Sequence, residues 1–195
     1  KNIGFLIMKK KYINDYKNIT FIFHDIDTLP RHNGIIPYDT KRGIVSHYYG
    51  TYFALGGIVA IKGIDFEKIK GFPNYWGWGM EDNMLQERCI KNNIIINRST
   101  FFPMEDRKNI IRLFDGFHRV ANTREPSIYK YETSDSLYDI KNLSWLNDKE
   151  MIHIKTFKTG RPFSINEIRD WDIRKSAKMD IPKGQCRRNW SMNIY

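Results

Sequence analysis

The chain has 195 residues, of which 41% are hydrophobic and 14% aromatic, and its formal net charge is +10. This composition predicts one domain with a substantial core, and it argues against a disordered chain although 28% of the residues are charged. Its apolar runs are all shorter than the ~20 residues that a membrane span requires, and we recognise no secretory signal.

The positive charge alone does not identify a partner. Nucleic acid, an anionic membrane surface or a phosphorylated substrate would each suit it, but so would the compositional bias of a chain rich in lysine, asparagine and isoleucine. The two cysteines, Cys89 and Cys186, lack the spacing of a zinc site. Because Cys89 falls within a predicted helix, we expect a buried thiol there rather than half of a disulfide.

Hydrophobic periodicity predicts alternating helices and strands. In chain order we expect a helix over residues 2–14, a buried strand over 19–23, a long polar loop over 31–50, a strand over 52–61, a helix over 81–91, a short strand over 94–96, an irregular stretch over 99–125 and a half-exposed strand over 151–157. This alternation is typical of a layered α/β domain. We place that domain at residues 1–160 and treat residues 161–195 as a basic C-terminal extension.

The first candidate site is Asp25-Ile26-Asp27, which follows an apolar run at the end of a predicted strand. Side chains two residues apart in an extended segment point the same way, so both carboxylates can reach one ligand. Hard divalent cations prefer oxygen ligands, and an open α/β sheet binds its ligands at the carboxyl ends of its strands. The pattern therefore favours a metal–diphosphate site.

Two other interpretations of these acids stay open. They could be solvated loop residues, or they could belong to a phosphohydrolase of the haloacid dehalogenase type, whose first strand also ends in Asp-x-Asp. That class carries Thr or Val four residues after the first Asp, where this chain has Leu29.

The second candidate site is the segment at residues 71–83, Gly-Phe-Pro-Asn-Tyr-Trp-Gly-Trp-Gly-Met-Glu-Asp-Asn. Its glycines and tryptophans fit neither a helical nor a strand period, so we predict a shaped loop. The loop leads into the first turn of a helix that carries the acid pair Glu81-Asp82. Aromatic walls, a flexible backbone and a carboxylate are typical of a catalytic pocket that binds sugar.

The order of these motifs resembles the β-1,4-galactosyltransferase family over about residues 1–160. That family carries Asp-Val-Asp, then Tyr-Phe-Gly-Gly, then a Gly-Phe-Pro-Asn-x-Tyr-Trp-Gly-Trp-Gly-Gly-Glu-Asp-Asp block. The similarity continues at residues 117–125, Phe-His-Arg-Val-Ala-Asn-Thr-Arg-Glu. The resemblance implies a GT-A-like mixed sheet flanked by helices, here without the N-terminal nucleotide-binding strand, and inverting transfer of a hexose from a UDP-sugar.

The resemblance also implies a role for each motif residue. Asp82 resembles the general base that deprotonates the acceptor hydroxyl, and Glu81 the acid that contacts sugar and orients the loop. Asp27 is similar to the metal ligand for Mn²⁺, with Mg²⁺ as the alternative ion. The implied substrate-binding residues are Asp25, Trp78, Gly79, Tyr75, Asn83, Gly57 and Ala54.

Some positions depart from the family pattern. The family's further metal ligands, Met-x-x-His, have no clear counterpart, and we consider Met104, Glu105 and His118 for that role. Ala54 stands where the family has the tyrosine of Tyr-Phe-Gly-Gly, so we predict room for the N-acetyl group of UDP-GalNAc alongside UDP-Gal. Asn83 replaces an aspartate, so the acceptor need not be N-acetylglucosamine.

The sequence thus predicts a metal-dependent glycosyltransferase that moves galactose or N-acetylgalactosamine from a UDP-sugar to a glycan or glycoconjugate hydroxyl. The alternatives are an Asp-x-Asp phosphohydrolase, a non-catalytic sugar-binding module and, least in keeping with the Trp-Gly-Trp loop, a nucleic-acid-binding protein. We expect no nucleic-acid partner and no membrane span. The compartment stays open between the Golgi lumen of a eukaryote and the cytoplasm for a viral or bacterial protein.

Overall fold

A computed structural model describes residues 1–122, 136–160 and 165–174. The helices in these ranges are α1 (Asn2–Lys11), α2 (Gly63–Lys68) and α3 (Glu81–Lys91), with 3₁₀ turns at Leu137–Asp139 and Ile165–Glu167. The strands are β1 (Thr20–His24), β2 (Thr28–Pro30), β3 (Ile44–Gly50), β4 (Ile58–Lys62), β5 (Ile95–Asn97), β6 (Phe102–Pro103), β7 (Ile110–Arg112), β8 (His118–Asn122), β9 (Lys141–Asp148), β10 (Met151–Lys158) and β11 (Ile168–Asp172).

The largest sheet is mixed and has the order β1-β4-β3-β5, with β6 also paired to β3. The β1–β4 and β4–β3 pairs are antiparallel, whereas β5 and β6 run parallel to β3. Three two-stranded sheets join β2 to β7, β8 to β11 and β9 to β10. The predicted mixed α/β architecture is therefore present.

The main core lies between the sheet and the three helices. Phe5 of α1 packs against Phe21 of β1 and Phe66 of α2, with ring centroids 4.8 Å apart in both pairs. Leu85 and Cys89, on the inward face of α3, are fully buried in the same cluster. The predictions that the 81–91 segment is helical and that Cys89 is a buried free thiol are thus confirmed.

The prediction of a loop over residues 31–50 is wrong in its last third, because β3 is the buried strand between β4 and β5. Its sequence, Ile-Val-Ser-His-Tyr-Tyr-Gly, is polar for a central strand. The side chains of His47, Tyr48 and Tyr49 have hydrogen-bond partners elsewhere in the chain. Tyr48, for example, accepts a hydrogen bond from the backbone N–H of Asp39 at 2.9 Å.

Two other predicted boundaries also need correction. The strand expected over residues 52–61 is β4, which begins only at Ile58, because residues 51–57 form a loop beside the candidate site. Residues 99–125 are not irregular throughout, since β6, β7 and β8 lie within them. These strands are two to five residues long and pair with distant segments, which leaves little periodicity in the sequence itself.

The strand expected over 151–157 is present as β10, but the prediction of a single wet face is wrong because both faces are largely exposed. Its partner in the described sheets is β9 alone. The β11 strand falls inside the predicted basic extension and pairs with β8; residues 161–164 and 175–195 of that extension, and residues 123–125 of the family-like block, lie outside the described ranges.

Among the helices in the described ranges, none combines the length and the apolarity of a bilayer-spanning segment.

Candidate functional site

The two acidic motifs open onto one cleft of about 530 Å³. One wall begins where β1 ends, at Asp25 and Asp27, and the opposite wall is the first turn of α3, at Glu81 and Asp82. The remaining lining residues come from several strands and the loops between them, together with Lys1 and Asn83: Lys1, Ile26, Thr28, Tyr49, Gly50, Thr51, Phe53, Ala54, Gly56, Gly57, Trp78, Gly79, Met80, Asn83, Met104, Arg112, Asp115 and Arg119. Motifs more than 50 residues apart in sequence therefore share one solvent-accessible site.

Asp25 is fixed at the end of β1 by a reciprocal contact with Gly57. The Gly57 N–H donates to Asp25 Oδ2 at 3.1 Å, and the Asp25 N–H donates to the Gly57 carbonyl at 2.9 Å. Gly57 has φ +76°, and a Cβ there would lie 2.4 Å from the Tyr49 carbonyl oxygen. This close approach requires glycine. Glycine at position 57 therefore allows the backbone contacts that hold Asp25 in place.

Asp27 is two residues further along the same wall. Arg112 of β7 places its Nε 3.9 Å from Asp27 Oδ2, and the Leu113 N–H donates to the Asp27 carbonyl at 2.7 Å. Burial and the negative charge of Asp25 raise the pKa of Asp27, against the opposing charge of Arg112. Asp27 therefore stands where a positive charge, whether a side chain or an ion, would relieve electrostatic repulsion.

The second acid pair begins α3. Both carboxylates lie in the first helical turn, where the helix dipole favours negative charge. The Gly79 N–H donates to Glu81 Oε2 at 2.9 Å, so Glu81 binds the end of the Trp-Gly-Trp loop. Met80, which lies between Gly79 and Glu81, has φ +69°, a left-handed conformation that is strained for a residue with a Cβ.

Lys1 joins the two walls. Its Nζ lies 3.2 Å from Asp25 Oδ1 and 3.3 Å from Asp82 Oδ1. Burial raises the pKa of Asp82 to about 7, with Lys1 lowering it and Glu81 and Asp25 raising it. For the ammonium, burial would lower the pKa, but the charges of Asp82 and Asp25 outweigh it and raise the pKa. A carboxyl group that titrates near neutrality in a cleft is suited to general base chemistry.

The Trp-Gly-Trp loop is anchored by the β8–β11 pair. The Trp78 N–H donates to the Val120 carbonyl at 2.7 Å. The Trp78 ring lies 5.3 Å from Trp171 of β11, and the guanidinium of Arg119 lies 5.7 Å from the same ring. Gly77 has no room for a side chain, because a Cβ would lie 2.2 Å from the Asn122 backbone nitrogen. The loop therefore packs against β8, and Trp78 lines the cleft.

A smaller groove of about 290 Å³ adjoins the cleft and shares Lys1 and Glu81 with it. Tyr75 and Trp76 line it, and Trp76 stacks on Phe157 of β10 with ring centroids 5.9 Å apart and an interplanar angle of 18°. Tyr75, predicted to bind substrate, thus lies outside the main cleft but beside Glu81. Flat aromatic surface next to an acid is compatible with carbohydrate.

Every other predicted substrate-binding residue lines the main cleft, namely Asp25, Gly57, Trp78, Gly79, Asn83 and Ala54. Asn83 also donates from Nδ2 to the Phe53 carbonyl at 3.1 Å, so part of its amide serves the loop. Of the three further metal-ligand candidates, Met104 lines the cleft, whereas Glu105 and His118 do not. His118 instead lies 2.9 Å from Asp170 of β11.

The fit of these residues to a divalent cation depends on the substrate. In the described ranges no cluster of three or more His, Cys, Asp and Glu side chains is placed to hold a metal ion. Mg²⁺-type ions in nucleotide sites, however, are often held by one or two carboxylates together with substrate phosphates and water. Asp27, with its surplus of neighbouring negative charge, fits that arrangement, and Met104 lines the same cleft.

Sequence reasoning missed several residues that line the cleft or pack against its lining. Lys1 and Arg112 belong to no recognised motif, and Trp171 lies in the segment that we assigned to the basic extension. Arg119 was inside a family-like block but received no role. Its Nη2 lies 2.8 Å from both carboxylate oxygens of Asp115, another cleft residue. The residues 117–122 that resemble the family could have pointed to Arg119; for Lys1 and Arg112 only tertiary structure reveals the contact.

Sequence comparison gives relatives of one kind. The family model described as "N-terminal domain of galactosyltransferase" matches residues 43–113. Human β-1,4-galactosyltransferase 1 is 32% identical over 143 residues, which cover 64% of this chain and 34% of the human protein. The xylosylprotein 4-β-galactosyltransferase of Caenorhabditis elegans is 33% identical over 87 residues, 40% of this chain and 30% of that protein. The chain thus spans about a third of the length of the curated relatives it matches.

Solved structures show the same fold. The catalytic domain of Drosophila β-1,4-galactosyltransferase 7 in complex with xylobiose matches with a TM-score of 0.51 at 16% identity, covering 78% of this chain and 69% of that one. A mutant of the same enzyme, in complex with manganese, UDP-Gal and xylobiose, matches with a TM-score of 0.53 at 15% identity and the same coverage. The predicted GT-A-like fold and the predicted resemblance to the β-1,4-galactosyltransferase family are both confirmed.

Proposed function

We propose that this protein transfers a hexose from a UDP-sugar to a hydroxyl group of a sugar acceptor, with inversion and with the help of a divalent cation. The observation that carries the proposal is the placement of Asp25 and Asp27 opposite Glu81 and Asp82 across one open cleft. Such a cleft can hold a nucleotide-sugar on one wall and an acceptor on the other. The sequence relatives are galactosyltransferases, which supports galactose as the sugar.

Asp82 is our candidate for the base. In an inverting transfer the acceptor oxygen attacks the anomeric carbon as the bond from that carbon to the UDP oxygen breaks. The acceptor proton passes to the Asp82 carboxylate, and UDP leaves with the bonding electron pair. A single base suffices and no protein nucleophile is needed. A pKa of about 7 for Asp82 allows it to accept this proton near neutral pH.

The donor diphosphate is assigned to the opposite wall. Asp27 would hold the Mn²⁺ or Mg²⁺ ion, and the ion would neutralise charge that develops on the leaving diphosphate. A manganese ion is present with UDP-Gal in the Drosophila relative's complex, which supports this assignment. Arg112, beside Asp27, is placed to add a guanidinium contact to a phosphate oxygen.

The acceptor is assigned to the side of the Trp-Gly-Trp loop. Trp78 in the cleft and Tyr75 in the adjoining groove offer aromatic faces, and Glu81 and Asn83 offer polar contacts. Xylobiose is bound in the Drosophila relative, so xylosides belong in the acceptor panel together with N-acetylglucosamine. Ala54, a small buried residue that lines the cleft, supports our proposal that UDP-GalNAc is accepted alongside UDP-Gal.

The deciding experiment is a UDP-release assay on the full-length protein, with UDP-Gal, UDP-GalNAc and UDP-glucose, with and without Mn²⁺, and with each acceptor. We expect acceptor-dependent release with UDP-Gal that chelation of Mn²⁺ abolishes. Use of UDP-Gal with complete rejection of UDP-GalNAc would refute the role given to Ala54. Phosphate release from a generic monoester, unaffected by Asp82→Asn, would favour the phosphohydrolase instead. Sugar binding without any turnover would indicate the non-catalytic module.

A further inference from the structure

A buried histidine with no role in the proposed chemistry lies behind the cleft. His47 is on β3 and is fully buried, with its ring 4.8 Å from that of Phe101. No sequence motif marks it, and it does not line the cleft. A fully buried imidazole normally has a specific set of partners, and those partners define what it does.

Both ring nitrogens of His47 are occupied. Nε2 lies 2.9 Å from the carbonyl oxygens of Tyr49 and Gly56, and Nδ1 lies 3.0 Å from Nε of Arg98. Since a guanidinium can only donate, Nδ1 must be the acceptor. The ring proton therefore sits on Nε2 and is shared between the two carbonyls. Burial lowers the pKa of His47 to about 4, so this neutral tautomer persists at physiological pH.

Arg98 extends the same network to α3. Its Nη2 donates to the Tyr52 carbonyl at 3.0 Å and to Gln86 Oε1 at 2.8 Å. Its guanidinium also lies over the rings of Tyr52 and Phe101. Together His47 and Arg98 bind the backbone of the 51–57 loop from behind at two points and tie it to the helix that carries the second acid pair.

The 51–57 loop in turn contacts both acid pairs. At one end Gly57 holds Asp25 through the two hydrogen bonds described above. At the other end the Leu55 N–H donates to the Asp82 carbonyl at 3.1 Å. Gly56, whose carbonyl His47 holds, faces Asp82 so closely that a Cβ on it would lie 2.3 Å from Asp82 Oδ2. The loop is thus the spacer between the two walls of the cleft.

We infer that His47 is a positioning residue which, through the Gly56 carbonyl and Arg98, sets the distance between Asp25 and Asp82. The inference rests on the proposed function, because that distance is the distance between the donor wall and the base. A displacement of the base by about 1 Å is enough to lower turnover by up to ~10²-fold without removing a catalytic group. The effect should fall on kcat more than on donor affinity.

Three substitutions distinguish the hydrogen bond that His47 donates to the Gly56 carbonyl from the one that it accepts from Arg98. His47→Gln can keep a donor for the Gly56 carbonyl, His47→Asn can keep an acceptor for Arg98, and His47→Leu keeps neither. We expect a fall in kcat of about tenfold or more for His47→Leu and His47→Asn, a smaller fall for His47→Gln, and little change in KM for the donor. Arg98→Met should lower kcat as well, and its effect should not add to that of His47→Leu, since the two residues act through one network.

Ile94→Ala is the control for a general loss of stability, because it truncates a buried core residue that does not line the cleft. Assayed at the same number of degrees below its own Tm, Ile94→Ala should keep the kcat of the wild type, whereas His47→Leu should not. If His47→Leu keeps full kcat under these conditions, the inference is wrong while the proposed function stands.

The inference can also be tested independently of activity. Amide hydrogen exchange at Leu55 and Gly57, which bond to the two acid pairs, should be at least tenfold faster in His47→Leu and unchanged in Ile94→Ala. If the wild type transfers no sugar but these amides respond as expected, the proposed function fails and His47 still positions the loop. If their exchange is unchanged, His47 does not position the loop.

Discussion

The ammonium of Lys1 lies 3.3 Å from the carboxylate of Asp82, the residue assigned as the base. The same Nζ is 3.2 Å from Asp25 on the facing wall. One cation therefore couples the two acid pairs, and it is the charge that most lowers the pKa of Asp82 against burial. Since both side chains are only partly exposed, solvent screens this contact less than it would a surface ion pair.

Removal of the base should lower turnover without removing the substrate site. We expect Asp82→Asn to reduce kcat by about 10²–10⁴-fold, because general base catalysis typically contributes that much. UDP affinity, measured by calorimetry, should stay within a few fold of the wild type, since the donor is assigned to the other wall. Asp139→Asn, which alters an acid that caps a 3₁₀ turn instead, serves as the control. Unchanged turnover in Asp82→Asn would refute the assignment.

Lys1 should set the pH at which the base becomes active. Asp82 works as the carboxylate, so kcat/KM should rise with pH and level off above a pKa of about 7. Lys1→Met removes the charge that favours the carboxylate, which raises this pKa further and moves the rising limb upward by about one pH unit or more. The loss of activity should thus be large at pH 6 and small at pH 9.

The matched control for this pH profile is Lys9→Met. Lys9 also pairs with a carboxylate, that of Glu67, but neither residue lines the cleft. Its profile should coincide with that of the wild type. A rising limb that stays in place in Lys1→Met, or moves to lower pH, would show that Asp82 is not the group that titrates.

Gly56 offers a steric test of the same geometry. A Cβ at this position would lie 2.3 Å from Asp82 Oδ2 and 2.9 Å from its Cγ, so Gly56→Ala must displace the carboxylate. We expect a loss of kcat of at least tenfold with the fold retained, measured by turnover and far-UV circular dichroism. Gly4→Ala, in α1, has no atom within 4 Å of the added Cβ. It should keep kcat and raise stability by about 0.5–1 kcal/mol.

Some features of the fold are encoded in local stretches of the sequence. β1 and α3 were predictable because each places apolar side chains at its own period against the core, and one acid motif follows the end of β1 while the other begins α3. The rule that ligands gather at the carboxyl ends of strands placed the first motif at a ligand site, whereas the expectation that both motifs serve one sugar nucleotide came from the family resemblance. The fold class thus required only short-range patterns, whereas the roles predicted for the site residues required the family resemblance.

The missed features depend on contacts distant in sequence. His47 makes β3 look like a polar loop, and its burial is favourable because the carbonyls of Tyr49 and Gly56 and the guanidinium of Arg98 satisfy its ring nitrogens. Trp171 gives no sign that it reaches Trp78, because the pairing of β11 with β8 is not encoded in a local pattern. Polar groups inside a fold are satisfied by tertiary partners, and a sequence does not display those partners.

Asp27 allows the metal assignment to be tested apart from turnover. If Asp27 holds the ion that bridges to the donor diphosphate, Asp27→Asn should weaken Mn²⁺-dependent UDP binding by at least about tenfold. The amide keeps the size of the side chain and its oxygen but loses the negative charge on which a hard cation depends.

Calorimetry with UDP, first with Mn²⁺ and then with a chelator, measures UDP affinity with and without the metal ion. In the wild type chelation should lower the affinity, and in Asp27→Asn it should change little, because the metal contribution is already lost. Asp148→Asn, on the exposed β9–β10 hairpin, should behave as the wild type. Undiminished Mn²⁺-dependent binding in Asp27→Asn would remove this residue from the metal site and leave Arg112 and Lys1 as the cationic groups of the donor wall.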